Sequence, residues 1–156
     1  MPSQPDSARI PTASIVFGFG PMLPIAAAAI GAWTLPSPWP QMAVQLAIIW
    51  AAIILAFVAG VRRGYGFGAP GASTPRAIIA MLLYFVPAGL ALVCARFDAP
   101  VAALALLTFG YLLVIVFDRH AARSGDAPAH FARLRGPQML IAVLGLVALV
   151  GHLLRS

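Results

Sequence analysis

No lysine and no glutamate occur in the 156 residues, and negative charge is confined to Asp6, Asp98, Asp118 and Asp126. Charged residues make up 9% of the chain, against roughly a quarter in a soluble domain. A water-facing surface on all sides cannot be built from so few. Cysteine occurs once, at Cys94, which excludes an internal disulfide and any cysteine-based metal site within the chain. In its apolar setting Cys94 reads as a small packing residue.

What the chain has instead is apolar length. It is 62% hydrophobic, with a mean hydropathy of +0.95. All ten basic residues are arginine, and the net charge is +6. Such a charge can signal nucleic acid, but these arginines sit in short segments between apolar runs. Anionic lipid headgroups are the partner that fits, at about 1 kcal/mol per basic residue near the surface. The stretch Gln45 to Gly68, QLAIIWAAIILAFVAGVRRGYGFG, shows the pattern: an uncharged apolar run, then Arg62 and Arg63, then glycines. It reads as a membrane-spanning helix whose last turn meets lipid phosphate.

Residues 1–11 read as a flexible tail, and 12–156 as one transmembrane helical domain with spans at about 12–33, 41–61, 77–95, 100–117 and 137–154. A cleaved signal peptide is the competing reading of the first span. Gly18, Gly20, Pro21 and Pro24 interrupt that stretch, and it is long for a signal peptide. These residues predict a kink whose freed carbonyls are covered by neighbouring helices; the alternative is a broken helix of the transporter kind. In the second span Ala52, Ala56 and Gly60 recur every four residues, a face narrow enough for close helix approach. Pro87 predicts a kink in the third span, and Arg96 to Ala99 a tight turn into the fourth. The segment 118–136 reads as the longest polar loop. Within it, Asp126 and Pro128 would start a short surface helix that ends at Gly136, with Phe131 and Leu134 on its apolar face.

If five spans alternate, Arg9, Arg62, Arg63, Arg76, Arg119, Arg123, Arg133 and Arg135 share one face, and only Arg96 and Arg155 the other. This asymmetry predicts a cytoplasmic N-terminus and an outer C-terminus. The fold class that follows is all-α, a polytopic membrane bundle of about five transmembrane helices, placed in a bacterial inner (plasma) membrane.

Membrane catalysis and ion coupling usually need ionisable groups at depth. No Asp, Arg or His falls near the middle of any expected span. The polar residues within spans are Ser14, Gln45, Tyr84, Thr108 and Tyr111, suited to hydrogen bonds between helices. His120 and His130 share a loop without Cys or Glu beside them, and His152 belongs to the opposite end, so no metal or haem site is expected. The run Gly64 to Gly68 contains the Gly-Tyr-Gly of potassium filters, but it follows two arginines and lacks the preceding Thr-Val. It is no phosphate loop either, since no Gly-Lys-Ser/Thr follows. Contact with headgroups or a partner is expected at Arg62, Arg63, Tyr65, Arg119, Arg133 and Arg135.

The segments FGFGPMLPIAAAAIGAW, ILAFVAGVRRGYGF and FDRHAA, with PAHFARLRGPQMLIAVLGL, resemble a family of small multi-span membrane proteins of unknown function. That family includes the mitochondrial transmembrane protein 69 and its proteobacterial relatives. The likeness covers nearly the whole chain after the tail. Tyr65 and Gly66 stand where the family more usually has Trp-Gly. The resemblance implies a multi-span inner-membrane protein and supplies no reaction and no cofactor.

The residues and the resemblance together favour a non-catalytic accessory or assembly subunit that packs against other membrane proteins of a larger energy-converting complex, respiratory or photosynthetic. The alternatives are a small-molecule or ion transporter or channel, and a lipid-binding or lipid-modifying protein at the cytoplasmic face. Nucleic acid is not an expected partner.

Overall fold

The computed structural model describes residues 12–65, 75–124 and 131–155. All regular structure among them is helical. Helix α1 (Thr12–Phe19) passes through a 3-10 turn (Gly20–Met22) into α2 (Leu23–Thr34). Then come α3 (Trp39–Tyr65), α4 (Pro75–Arg96), α5 (Pro100–Ser124) and α6 (Phe131–Leu153). Among the described residues five stretches are long and apolar enough to cross a membrane: Val16–Thr34, Trp39–Gly64, Ala77–Arg96, Pro100–His120 and Arg135–Leu153. Even the shortest, 19 residues, reaches about 28 Å at 1.5 Å per residue, close to the thickness of the hydrocarbon layer. The protein is therefore an all-α, multi-pass membrane protein.

The spans close a ring. Helix α2 lies between α3 and α6, α3 packs on α4, α4 on α5, α5 on α6, and α3 also touches α5 across the middle. Each helix turns one stripe inward at helical spacing. On α3 it includes Ile48, Ala51, Leu55 and Val58; on α4, Ala77, Ala80, Tyr84, Ala88 and Ala91. On α5 it runs Leu104, Leu107, Tyr111, Val114, and on α6 Met139, Ala142, Leu146, Leu149. Large apolar side chains such as Phe17, Phe57, Phe85, Phe109, Val116 and Leu144 are exposed on the outside, where lipid rather than water is their solvent. Alanine is the commonest residue of the interior. Small side chains let helices approach closely, which in a bilayer supplies the packing that hydrophobic exclusion supplies in water.

The interruption in the first span stays right-handed: Phe19, Met22 and Leu23 all keep αR backbone angles. The Pro21 carbonyl inside it accepts the Trp50 indole N–H of α3 at 2.8 Å. A neighbouring helix thus covers a backbone group that the tightened turn leaves available.

The turn between α4 and α5 ends α4 with a complete Schellman pattern. Ala99 N–H reaches Cys94 O at 2.9 Å, and Asp98 N–H reaches Ala95 O at 3.3 Å. Asp98 occupies the left-handed position, at φ 53. Aspartate tolerates that region better than most residues but glycine adopts it without a Cβ penalty. Asp98→Gly is expected to stabilise the protein by about 0.5 kcal/mol, read as a raised unfolding midpoint in detergent; an unchanged or lowered midpoint would contradict this account of the turn.

Two expected boundaries need correction. Helix α5 does not stop at Phe117 but continues to Ser124, so Asp118 to Ser124 are helical rather than loop. Helix α6 begins at Phe131 and runs unbroken through Gly136 and Pro137, so Gly136 ends no short helix. Pro137 is the seventh residue of α6, past the first turn, so it removes one i→i−4 backbone hydrogen bond from inside the helix. Asp126 and Pro128, expected to start that short helix, lie outside the described residues.

Candidate functional site

The inward stripe of α5 does not end where its apolar residues end. Adding one more helical step to Leu107, Tyr111 and Val114 gives Asp118, and the structure buries it to 2% exposure. The stripe of α6, followed backwards from Ala142 through Met139 and Gln138, gives Arg135. That of α3, followed forward from Leu55 and Val58, gives Arg62. Three helices thus bring charged residues to one end of the ring because their core registers continue into polar sequence.

There Asp118 Oδ1 accepts the Tyr84 hydroxyl at 3.1 Å. Its Oδ2 lies 3.6 Å from Arg135 Nε, an ion pair slightly longer than a hydrogen bond. Arg135 is itself mostly covered, at 14% side-chain exposure. Arg62 acts electrostatically on both Asp118 and Tyr84. Asp118 therefore joins α4, α5 and α6, with α3 in electrostatic reach. At about 1.5 Å per residue, Asp118 is about 27 Å along α5 from Pro100, so the cluster sits near the arginine-bearing end of the bundle and not at its centre.

Four more polar contacts tie helices together or brace them. Tyr111 of α5 donates to Ala51 O of α3 at 3.0 Å, fully inside the bundle. Trp33 of α2 donates to Ala148 O of α6 at 3.0 Å. Trp50 reaches Pro21, as described. Thr108, in contrast, bonds within its own helix, to Leu104 O at 2.7 Å. At the far end His152 meets Trp33 edge-on, with ring centroids 5.6 Å apart, and Arg155 lies 5.4 Å from the same ring.

The residues expected to meet headgroups or partners divide. Arg62 and Arg63 are half-buried in the last turn of α3, Arg119 is exposed beside Asp118, and Arg135 is drawn into the cluster. The side chains of Tyr65 and Arg133 lie outside the described residues. Of the small-residue face, Ala52 is buried and Ala56 packs against the core, but Gly60 is exposed and a Cβ added there would meet nothing within 4 Å. The close approaches fall elsewhere. A Cβ on Gly145 would stand 3.0 Å from Ile25 Cγ2 and 3.3 Å from Ile25 O. One on Gly110 would meet Leu55 Cδ2 at 2.5 Å and Pro87 Cβ at 3.5 Å, and one on Gly18 would collide with the Gln138 amide. Gln138 is buried to 4%, a second polar residue inside the ring that polarity alone does not place there.

His120 is exposed and His152 lies at the opposite end; His130 is outside the described residues. Among the described residues no three His, Cys, Asp or Glu side chains gather as metal ligands.

A family described as "Protein of unknown function (DUF3429)" matches residues 10–151. No match was found among curated proteins or among solved structures.

Proposed function

The chain belongs to the DUF3429 family of proteins of unknown function, and from that premise we propose that it is a non-catalytic accessory or assembly subunit, packing against a larger energy-converting complex of the bacterial inner membrane. The observation that supports this reading is how the interior polar groups are used. Tyr84, Tyr111, Trp33, Trp50, Asp118 and Arg135 each join one span to another. Side chains spent on holding helices together specify a rigid shape, and a rigid apolar shape is suited to contact with other membrane proteins. The N-terminus and the arginine-bearing loops face the cytoplasm in this reading, following the eight-to-two arginine asymmetry. The likeness to mitochondrial and proteobacterial small membrane proteins adds the energy-converting setting by analogy alone.

Purification of the tagged protein from its native membrane in a mild detergent tests the reading. Defined membrane-protein partners in fixed stoichiometry are expected to elute with it. Recovery of the bundle by itself, with no partner in stoichiometric amount, would overturn it.

A further inference from the structure

We propose that the arginine-bearing end of the bundle holds the phosphate of an anionic phospholipid, gripped by Arg62 and Arg63 of α3 together with Arg135 of α6, and that Asp118 positions Arg135 for this contact. Three observations carry it.

The first is the charge balance of this end. The C-terminal ends of α3 and α5 and the N-terminal ends of α4 and α6 carry seven arginines, Arg62, Arg63, Arg76, Arg119, Arg123, Arg133 and Arg135. Against them the same helix ends carry one aspartate, Asp118. Even with Asp118 neutralising one of them, positive charge remains in excess at this end, which suits it to an anion.

The second is burial. Arg62, Arg63 and Arg135 are neither free in solvent nor sealed away; the first two are half-buried and Arg135 is mostly covered, on the rim of the ring. A guanidinium in that position is partly stripped of water, and its planar fork matches two phosphate oxygens at once. Exposed Arg119 lies one residue beyond Asp118 on the same rim.

The third is the carboxylate behind the rim. Asp118 is buried to 2%, contacts Arg135 at Nε and is in electrostatic reach of Arg62. One negative charge within reach of two guanidiniums lessens their mutual repulsion without cancelling their sum. It thereby allows two cations from different helices to stand close enough to share one anion.

The anion is assigned to a lipid because of where these arginines stand. Arg62 is in the last turn of the α3 span and Arg135 opens the α6 span, the level at which headgroup phosphates lie. A phosphate already confined to that plane reaches the site from a neighbouring position, whereas a free one must leave bulk water. The inference does not depend on whether the bundle has protein partners, since its test uses the purified protein alone.

The test is native mass spectrometry of the delipidated full-length protein, titrated with phosphatidylglycerol or with phosphatidylcholine of the same acyl chains. Phosphatidylglycerol is expected to be retained about tenfold more strongly, about 1.4 kcal/mol. In Arg62→Gln/Arg63→Gln that preference is expected to fall to about twofold or less, with the bundle still folded because the Asp118–Arg135 pair is intact. Asp118→Asn is expected to weaken the preference about threefold by loosening Arg135. Equal retention of the two lipids by the unaltered protein would overturn the proposal whatever the variants do. So would a preference that survives in the double variant, or displacement of phosphatidylglycerol by millimolar inorganic phosphate.

Discussion

Asp118→Ala is expected to destabilise the protein by about 3 kcal/mol, as removal of one member of a buried ion pair does elsewhere. The carboxylate is buried to 2%, with Tyr84 on one oxygen and Arg135 beside the other. Without it a phenol inside the ring loses its acceptor, and the mostly covered guanidinium loses its counter-charge. Asp118→Asn is expected to cost less, because an amide oxygen still accepts from Tyr84. Tyr84→Phe is expected to cost about 1 kcal/mol, the value of one buried hydrogen bond. The decisive comparison is Asp118→Ala with Arg135→Ala. The double variant should lose clearly less than the two single losses added, since the second removal no longer strands a charge. Equilibrium unfolding in mixed detergent micelles measures all five variants. Additive losses, or an Asp118→Ala variant within about 0.5 kcal/mol of the unaltered protein, would mean that the pair does not hold the helices.

Gly145→Leu is expected to lose about 3 kcal/mol or more, and Gly60→Leu to lose almost nothing. Both exchange glycine for the same side chain inside an apolar helix, so propensity and hydrophobicity cancel between them. They differ in what a Cβ meets. At Gly145 it would stand 3.0 Å from the Ile25 side chain and 3.3 Å from the Ile25 carbonyl. Backbone cannot rotate aside as a side chain can, so α2 and α6 would have to separate. The Trp33 bond to Ala148 O joins the same two helices and would be strained with them. At Gly60 nothing lies within 4 Å, and a leucine there faces lipid. Comparable unfolding midpoints for the two variants would remove the close α2–α6 approach from the account.

The membrane-spanning character was legible because it rests on composition and run length, and both are local. The tendency of buried polar residues to join helices was legible too: Tyr84 and Tyr111 stand out as hydroxyls inside apolar stretches, and both make such bonds. Asp118 is not placed by polarity, which marks only the end of a span. Its spacing from Leu104, Leu107, Tyr111 and Val114 was the better guide, for a helix keeps its register past the hydrocarbon boundary. What spacing cannot supply is the reason a carboxylate is tolerated inside, which depends on Tyr84 and Arg135, residues of other helices. Ala52 and Ala56 pack inward, but Gly60 faces outward, for a similar reason. The four-residue spacing of Ala52, Ala56 and Gly60 is a property of one helix, whereas close approach is a property of two. Gly110 and Gly145 are singled out only by Leu55, Pro87 and Ile25 across the gap.

An interior built so largely of alanine makes the response to mutation one-sided. Positions such as Ala51, Ala88, Ala91, Ala103 and Ala142 are at most 3% exposed, and their methyl groups already set the distance between backbones. Trimming one to glycine removes a single methyl, about 1 kcal/mol or so, while enlarging one to valine or leucine forces neighbours apart. In a saturation library the inward positions should accept only residues of equal or smaller volume, while Phe57, Phe85 or Phe109 on the outside should accept any greasy replacement. The permitted alphabet at each site would then trace the ring of helices without a coordinate being measured.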